Sequence, residues 1–264
     1  MTDTPAERTD RVIDLSVEVD GTPDEVWRAI ATGPGISSWY VPHTVDEREG
    51  GATVSSFGPG PEMQIPGVVA AWEPPGRVVF TGVEAGATLA FEWLVEARDG
   101  GSCVVRLVNT GFGDGDDWDA QFDGMREGWQ LFLLNLQLHL RHFRGESGAS
   151  MLPMAQWSGG RAAGWAHLLA GLGFGATPAV GDRVSTAGTD APPLGGTVLQ
   201  ASDWRLALLL DDPAPGTAFL AVEGTGDQVG VSVWSYVYGD ERDSIVERDL
   251  PRWNDWLATH APGT

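Results

Sequence analysis

The sequence contains no lysine. All 16 of its positive charges are arginine, set against 37 Asp and Glu, for a formal net charge of −21 at neutral pH. The absence excludes lysine Schiff-base chemistry and the lysine-dependent phosphate cradle of P-loop proteins. The acidic balance excludes the basic footprint of a nucleic-acid binder and disfavours anionic membrane surfaces. A single cysteine, Cys103, rules out an internal disulfide framework and a cysteine-cluster metal site. No run approaches the ~20 apolar residues of a membrane span, and MTDTPAERTD lacks a signal-peptide core, so a cytoplasmic protein is expected. What remains is ordinary globular material of 264 residues, 42% apolar, enough for one large domain or two smaller ones. Twelve tryptophans suit a core built around a cavity, and an ordinary core nearly as well.

Residues 1–10 are polar and are expected to fray. Alternation from Ile13 to Val19 predicts a strand. Thr22-Pro23-Asp24-Glu25 then supplies a helix N-cap, a proline at the first helical position and the glutamate of a capping box. The helix carries Val26, Trp27 and Ile30 and is predicted to end near Gly33-Pro34-Gly35, with a second helical turn over Ile36 to Tyr40. Strands are predicted at Ala52–Phe57, Gln64–Trp72, Arg77–Val83, Ala87–Ala97 and Cys103–Thr110. Short Gly- and Pro-rich breaks separate them, which predicts an antiparallel meander. The longest helix runs from about Asp117 to Phe143, with Phe122, Met125, Trp129, Phe132, Leu133, Leu136 and Leu140 at helical spacing.

Beyond Gly145-Glu146-Ser147-Gly148, read as a flexible linker, the order recurs. A strand over Ser150–Trp157 is followed by a helix over Arg161–Leu172. Strands follow at Arg183–Thr186, Gly195–Ala201, Trp204–Asp211, Thr217–Glu223 and Gln228–Tyr238, then a helix from about Asp240 to His260. Trp27 matches Trp165, Gly67 matches Gly196, Arg77 matches Arg205 and Trp129 matches Trp253, and Glu49-Gly50-Gly51 matches Val180-Gly181-Asp182. The single-residue separations fall from 138 to 124 residues, as they would if the second copy had shorter loops. An internal duplication is the simplest account, with a first domain over 1–145 and a second, degenerate one over 149–264.

Four stretches of the first half, taken in order, resemble a known family. They are Glu25-Val26-Trp27-Arg28-Ala29-Ile30 with Ile36-Ser37-Ser38-Trp39-Tyr40; Glu49-Gly50-Gly51; Gly67 to Phe80; and Asn109-Thr110-Gly111-Phe112 with Gly128-Trp129-Gln130-Leu131-Phe132-Leu133. Together, over about residues 12–143, they are similar to the heat-shock-protein ATPase activator homologue family. That family belongs to the START-like (SRPBCC, Bet v 1-like, polyketide cyclase) superfamily. The resemblance implies an α+β helix-grip fold, a curved antiparallel sheet wrapped round a long C-terminal helix, in two tandem copies. It also implies binding of a small hydrophobic or aromatic molecule between sheet and helix. Cyclase, aromatase or hydrolytic activity in the same pocket is the alternative, and a protein-interaction or chaperone-regulating module a second one.

Most chemically suggestive residues have plain readings. His139 and His142 share one side of the last helical turns but lack a third ligand, and suit the helix dipole. His43 reads as an exposed loop histidine and, in the enzyme alternative, as a general base with Tyr40 and Asn109. Asp114, Asp116, Asp117 and Asp119 lack calcium-loop spacing and cap the long helix. Cys103 is a small core or edge residue, and no metal or cofactor is predicted. The binding hypothesis rests on Asn109, which the family pattern places inward as a polar handle. An apolar lining of Trp39, Tyr40, Met63, Phe80, Phe91, Trp93, Leu107, Met125, Trp129 and Phe132 surrounds it. The second copy offers Trp204, Trp234, Tyr236, Trp253 and Trp256, with a smaller or closed cavity expected.

Overall fold

The computed structural model describes residues 11–58, 60–84, 86–113, 117–224 and 226–262. The expected fraying of residues 1–10, and the capping positions Asp114 and Asp116, lie outside them. The chain divides into two compact units, one of Met1–Ile36 with His43–Gly145 and one of Ser37–Pro42 with Glu146–Thr264.

In the first unit, β1 (Ile13–Asp20) leads into α1 (Pro23–Ala31) and α2 (Gly33–Ser37). Thr22 caps α1 as its sequence requires, with the Thr22 backbone N–H donating to Glu25 Oε2 at 2.8 Å. Gly33-Pro34-Gly35 does not simply end a helix; it begins α2. Thr32 Oγ1 accepts from the Gly35 N–H at 3.1 Å, and a Cβ on Gly35 would lie 1.9 Å from the Arg28 carbonyl oxygen. The second helical turn is therefore displaced toward the N-terminus of the Ile36–Tyr40 stretch predicted for it.

The sheet follows with β2 (His43–Val45), β3 (Ala52–Ser56), β4 (Gln64–Glu73), β5 (Arg77–Glu84), β6 (Ala87–Arg98) and β7 (Ser102–Thr110), and α3 (Asp117–His142) closes the unit. All neighbours are antiparallel, in the order β1-β7-β6-β5-β4-β3-β2. The meander is as short breaks dictate, and β1 completes it by pairing with the last strand. Alternation is visible in burial along β7: Cys103, Val105, Leu107 and Asn109 are buried while Arg106 is exposed. The buried face receives α3 through Trp129, whose ring lies 5.5 Å from that of Trp93 and 5.8 Å from that of Phe91. A sheet gripping one long helix is the helix-grip arrangement.

The second unit contains β8 (Ala149–Met151), β9 (Met154–Ser158), α4 (Arg161–Gly171), β10 (Arg183–Ser185), β11 (Gly195–Ala201), β12 (Arg205–Asp212), β13 (Gly216–Glu223), β14 (Gln228–Val237) and α5 (Arg242–Thr259). Its sheet runs β10-β11-β12-β13-β14-β8, with β9 also pairing with β14. The single strand expected over Ser150–Trp157 is thus two pieces, broken around Pro153, which has no N–H to donate to a ladder.

Allowing for that break and for β2, which has no counterpart in the second sheet, the two sheets have one topology: first strand beside last, then a meander. They also share a defect. A bulge falls between Val69 and Ala71 where β4 pairs with β5, and another between Val198 and Gln200 where β11 pairs with β12. Each follows a glycine by two residues. A Cβ on Gly67 would lie 2.5 Å from the Thr81 carbonyl oxygen, and one on Gly196 would lie 2.2 Å from that of Leu209. Even the tethers repeat. Gly50 N–H donates to Val69 O at 2.8 Å and Gly181 N–H to Val198 O at 2.9 Å, both glycines having positive φ. The architecture is a tandem of two helix-grip units.

Candidate functional site

Sheet register places the candidate residues of the first unit in rows. One row crosses the inner face as Val69–Phe80–Phe91–Asn109–Ile13, and the next as Val78–Trp93–Leu107–Leu15. Trp129 sits above both rows, with Phe132 one turn along α3 at a ring separation of 5.9 Å. Phe80, Phe91, Trp93, Leu107, Asn109, Trp129 and Phe132 are thereby assembled on one face and the helix opposite it. Phe91 is half-buried, as is Met125 one turn before Trp129, whereas Leu107 and Asn109 are fully buried. Edge-to-face contacts dominate among these rings, the geometry in which aromatic groups attract.

Asn109 is the polar member. Its Nδ2 donates to the Ala90 carbonyl at 3.0 Å across the β6–β7 pair. Its Oδ1 is sealed from solvent and accepts nothing from the described residues. An orphaned buried acceptor is uncommon and costs free energy, so it calls for a physical reason.

The other predicted lining residues lie elsewhere. Trp39, fully buried, and Tyr40, half-buried, fall in the second compact unit, although their sequence neighbours belong to the first. Their segment is held there by Tyr238, whose Oη donates to the Ser38 carbonyl at 2.7 Å. Met63 ends a short 3-10 turn (Pro61–Met63), next to Gly58, and is half-buried.

His43 is not an exposed loop residue. It lies on β2, because the short segment His43–Val45 pairs with β3, and a three-residue edge strand is too brief to show alternation. Its Nδ1 is 2.9 Å from Ser55 Oγ and its ring 6.0 Å from that of Phe80. Burial pushes its pKa down to about 4. That keeps the imidazole neutral but makes it a weak base near pH 7. His139 is likewise buried and pushed down to about 4 by desolvation, so it is neutral, while His142 is exposed. Asp119 pairs with Arg11. Cys103 is fully buried, its thiol 3.4 Å from the Gly21 carbonyl oxygen. Among the described residues, no three His, Cys, Asp or Glu side chains are grouped to hold a metal ion, and no helix is long and apolar enough to cross a membrane.

Register also exposes a correspondence that the sequence hid. Counting from the shared bulges, Phe80, Phe91, Trp93, Leu107 and Asn109 correspond to Leu208, Ala218, Leu220, Val233 and Ser235 in the second unit. The second unit keeps aromatics on its closing helix, Trp253 and Trp256, and has aliphatic residues at these strand positions, while Trp157 and Trp165 join the same core. At the place of Asn109 it retains a polar residue: Ser235, also buried, also with an orphaned oxygen. Asn109 and Ser235 share no chemistry-specific motif, so only strand register could find the match.

The class of protein follows from these features: a tandem helix-grip protein with an aromatic inner face in its first unit. Residues 20–141, within the stretch that carries the resemblance, match the family described as Activator of Hsp90 ATPase homolog 1-like protein. No curated protein matches the sequence. Several solved structures are similar. Protein MLL2253 from Mesorhizobium loti is 18% identical, with a TM-score of 0.45, over 50% of this chain and 98% of its own. DynU16, from the dynemicin biosynthetic locus, is 17% identical with a TM-score of 0.45 over 96% of both chains. The di-domain ARO/CYC BexL is 14% identical with a TM-score of 0.43, over 96% of this chain and 99% of its own.

Proposed function

We propose that the first unit binds a small hydrophobic or aromatic molecule between the inner face of its sheet and α3. One observation carries this reading. Where the second unit fills the same sheet positions with Leu208, Ala218 and Leu220, the first sets Phe80, Phe91 and Trp93 around a buried amide. A core needs only apolar volume, and aliphatic side chains supply it with well-defined rotamers. Wide rings with partly accessible members and one convergent polar group are the composition of a ligand site. The second unit, aliphatic at the sheet positions matching Phe80, Phe91 and Trp93, is structural in this reading.

An enzymatic role for the same face has less support. Its titratable candidate, His43, is a weak base near neutrality, and among the described residues no nucleophile, base and orienting group converge. A carrier or sensor is the better fit.

Native mass spectrometry of gently purified protein tests the proposal. A discrete extra mass, lost on unfolding, is the expected result. A bare mass that persists after addition of naphthalene-sized aromatic compounds would overturn it.

A further inference from the structure

Resting on that binding reading, we infer that the ligand carries a hydroxyl or N–H donor that meets Asn109 Oδ1, and that carboxylates and other anions are rejected. The orientation of the Asn109 amide is fixed by its surroundings. Its Nδ2 donates to the Ala90 carbonyl, and exchanging the two amide atoms would set oxygen against oxygen. The free atom is therefore an acceptor. It lies in a row whose other members are Val69, Phe80, Phe91 and Ile13, so no cation in that row stands ready to receive an acid.

A donor on the ligand relieves the orphaned acceptor, whereas an anion adds a second unpaired negative pole and must approach a chain of net charge −21. Oδ1 is sealed in this conformation, and Phe91, its half-buried neighbour across the strand pair, is the side chain that turns aside to admit the ligand. The second unit gives independent support. At the equivalent register position it too has a buried polar residue, Ser235, although the counterparts of Phe80, Phe91 and Trp93 there are Leu208, Ala218 and Leu220. A polar group kept in both copies where packing alone favours an apolar one points to an ancestral contact, still usable only where the aromatic face survives.

The test compares 1-naphthol, naphthalene and 1-naphthoate by calorimetric or ligand-observed NMR titration of the full chain. Wild type is expected to bind 1-naphthol about tenfold more tightly than naphthalene, the worth of one hydrogen bond to a buried acceptor, and 1-naphthoate more weakly still. In Asn109→Leu, which removes the acceptor with little change of volume, the preference for naphthol over naphthalene should vanish while naphthalene binding survives. The wild-type ranking stands without the variant should that variant fold poorly. Equal binding of all three compounds, or naphthoate binding best, overturns this inference and leaves the binding reading intact. If none of the three binds, the binding reading falls and takes this inference with it.

Discussion

Two buried oxygens, Asn109 Oδ1 and Ser235 Oγ, accept nothing from the described residues, yet their consequences differ. In the second unit the neighbouring positions of the row are Ala218 and Leu208, and burying the unpaired hydroxyl beside them costs free energy. Ser235→Ala is expected to leave stability unchanged or raise it by up to about 1 kcal/mol, measured by urea unfolding. A clear loss of stability would mean that the hydroxyl makes a hydrogen bond in solution. His139 gives a second residue-scale prediction. Burial holds its pKa at about 4, below the ordinary 6.5. Between those values the unfolded chain binds a proton that the folded chain refuses. The stabilisation from keeping this side chain neutral is therefore whole above about pH 6.5 and lost as the pH falls through about 4. The loss amounts to roughly 3 kcal/mol at most. Unfolding free energies measured across that range should fall with acidification in the wild type and fall less steeply in His139→Gln. Equal slopes would show that the imidazole is already protonated when folded.

At the scale of elements, the shared bulge determines how each sheet bends. Gly67 and Gly196 let one strand approach the next where a side chain would strike a carbonyl, and the bulge two residues later increases the local twist. Gly67→Ala and Gly196→Ala should each cost about 1–3 kcal/mol, the usual price of forced overpacking, in thermal or urea unfolding. If either substitution proves neutral, the bend does not depend on that close approach. The elements were legible in the sequence to different depths. The capping box and the meander were readable because caps and turns are local chemistry. The β2 edge strand was not, since His43–Val45 is held by pairing with β3 and has no periodicity of its own. The start of α2 at Gly33 escaped for a related reason: a Gly-Pro-Gly stretch reads as a stop until a close packing distance to Arg28 explains its glycine.

For the molecule as a whole, the dominant fact is charge. A net −21 with every cation an arginine leaves more carboxylates than the arginines can pair. Self-repulsion of that size weakens the compact state and is screened by salt. The unfolding midpoint should therefore rise as NaCl is increased from low levels to roughly 0.5 M, where the Debye length is only a few ångströms. A flat response would show that the arginine pairs, such as Arg106 with Asp14 and Arg183 with Asp211, already neutralise the surface locally.

The sequence by itself determined the duplicated order of elements, the absence of lysine and disulfide chemistry, and the inward position of Asn109. These follow from composition, turn signals, strand periodicity and family pattern. Only the tertiary structure decided which candidates lie together on one face. It gathered Phe80, Phe91, Trp93, Trp129 and Phe132 around Asn109, and it assigned Trp39 and Tyr40 to the other unit. It alone paired Asn109 with Ser235. The physical reason is that alternation states which face a side chain occupies, while cross-strand register and helix docking join residues distant in sequence, and neither leaves a trace in local pattern.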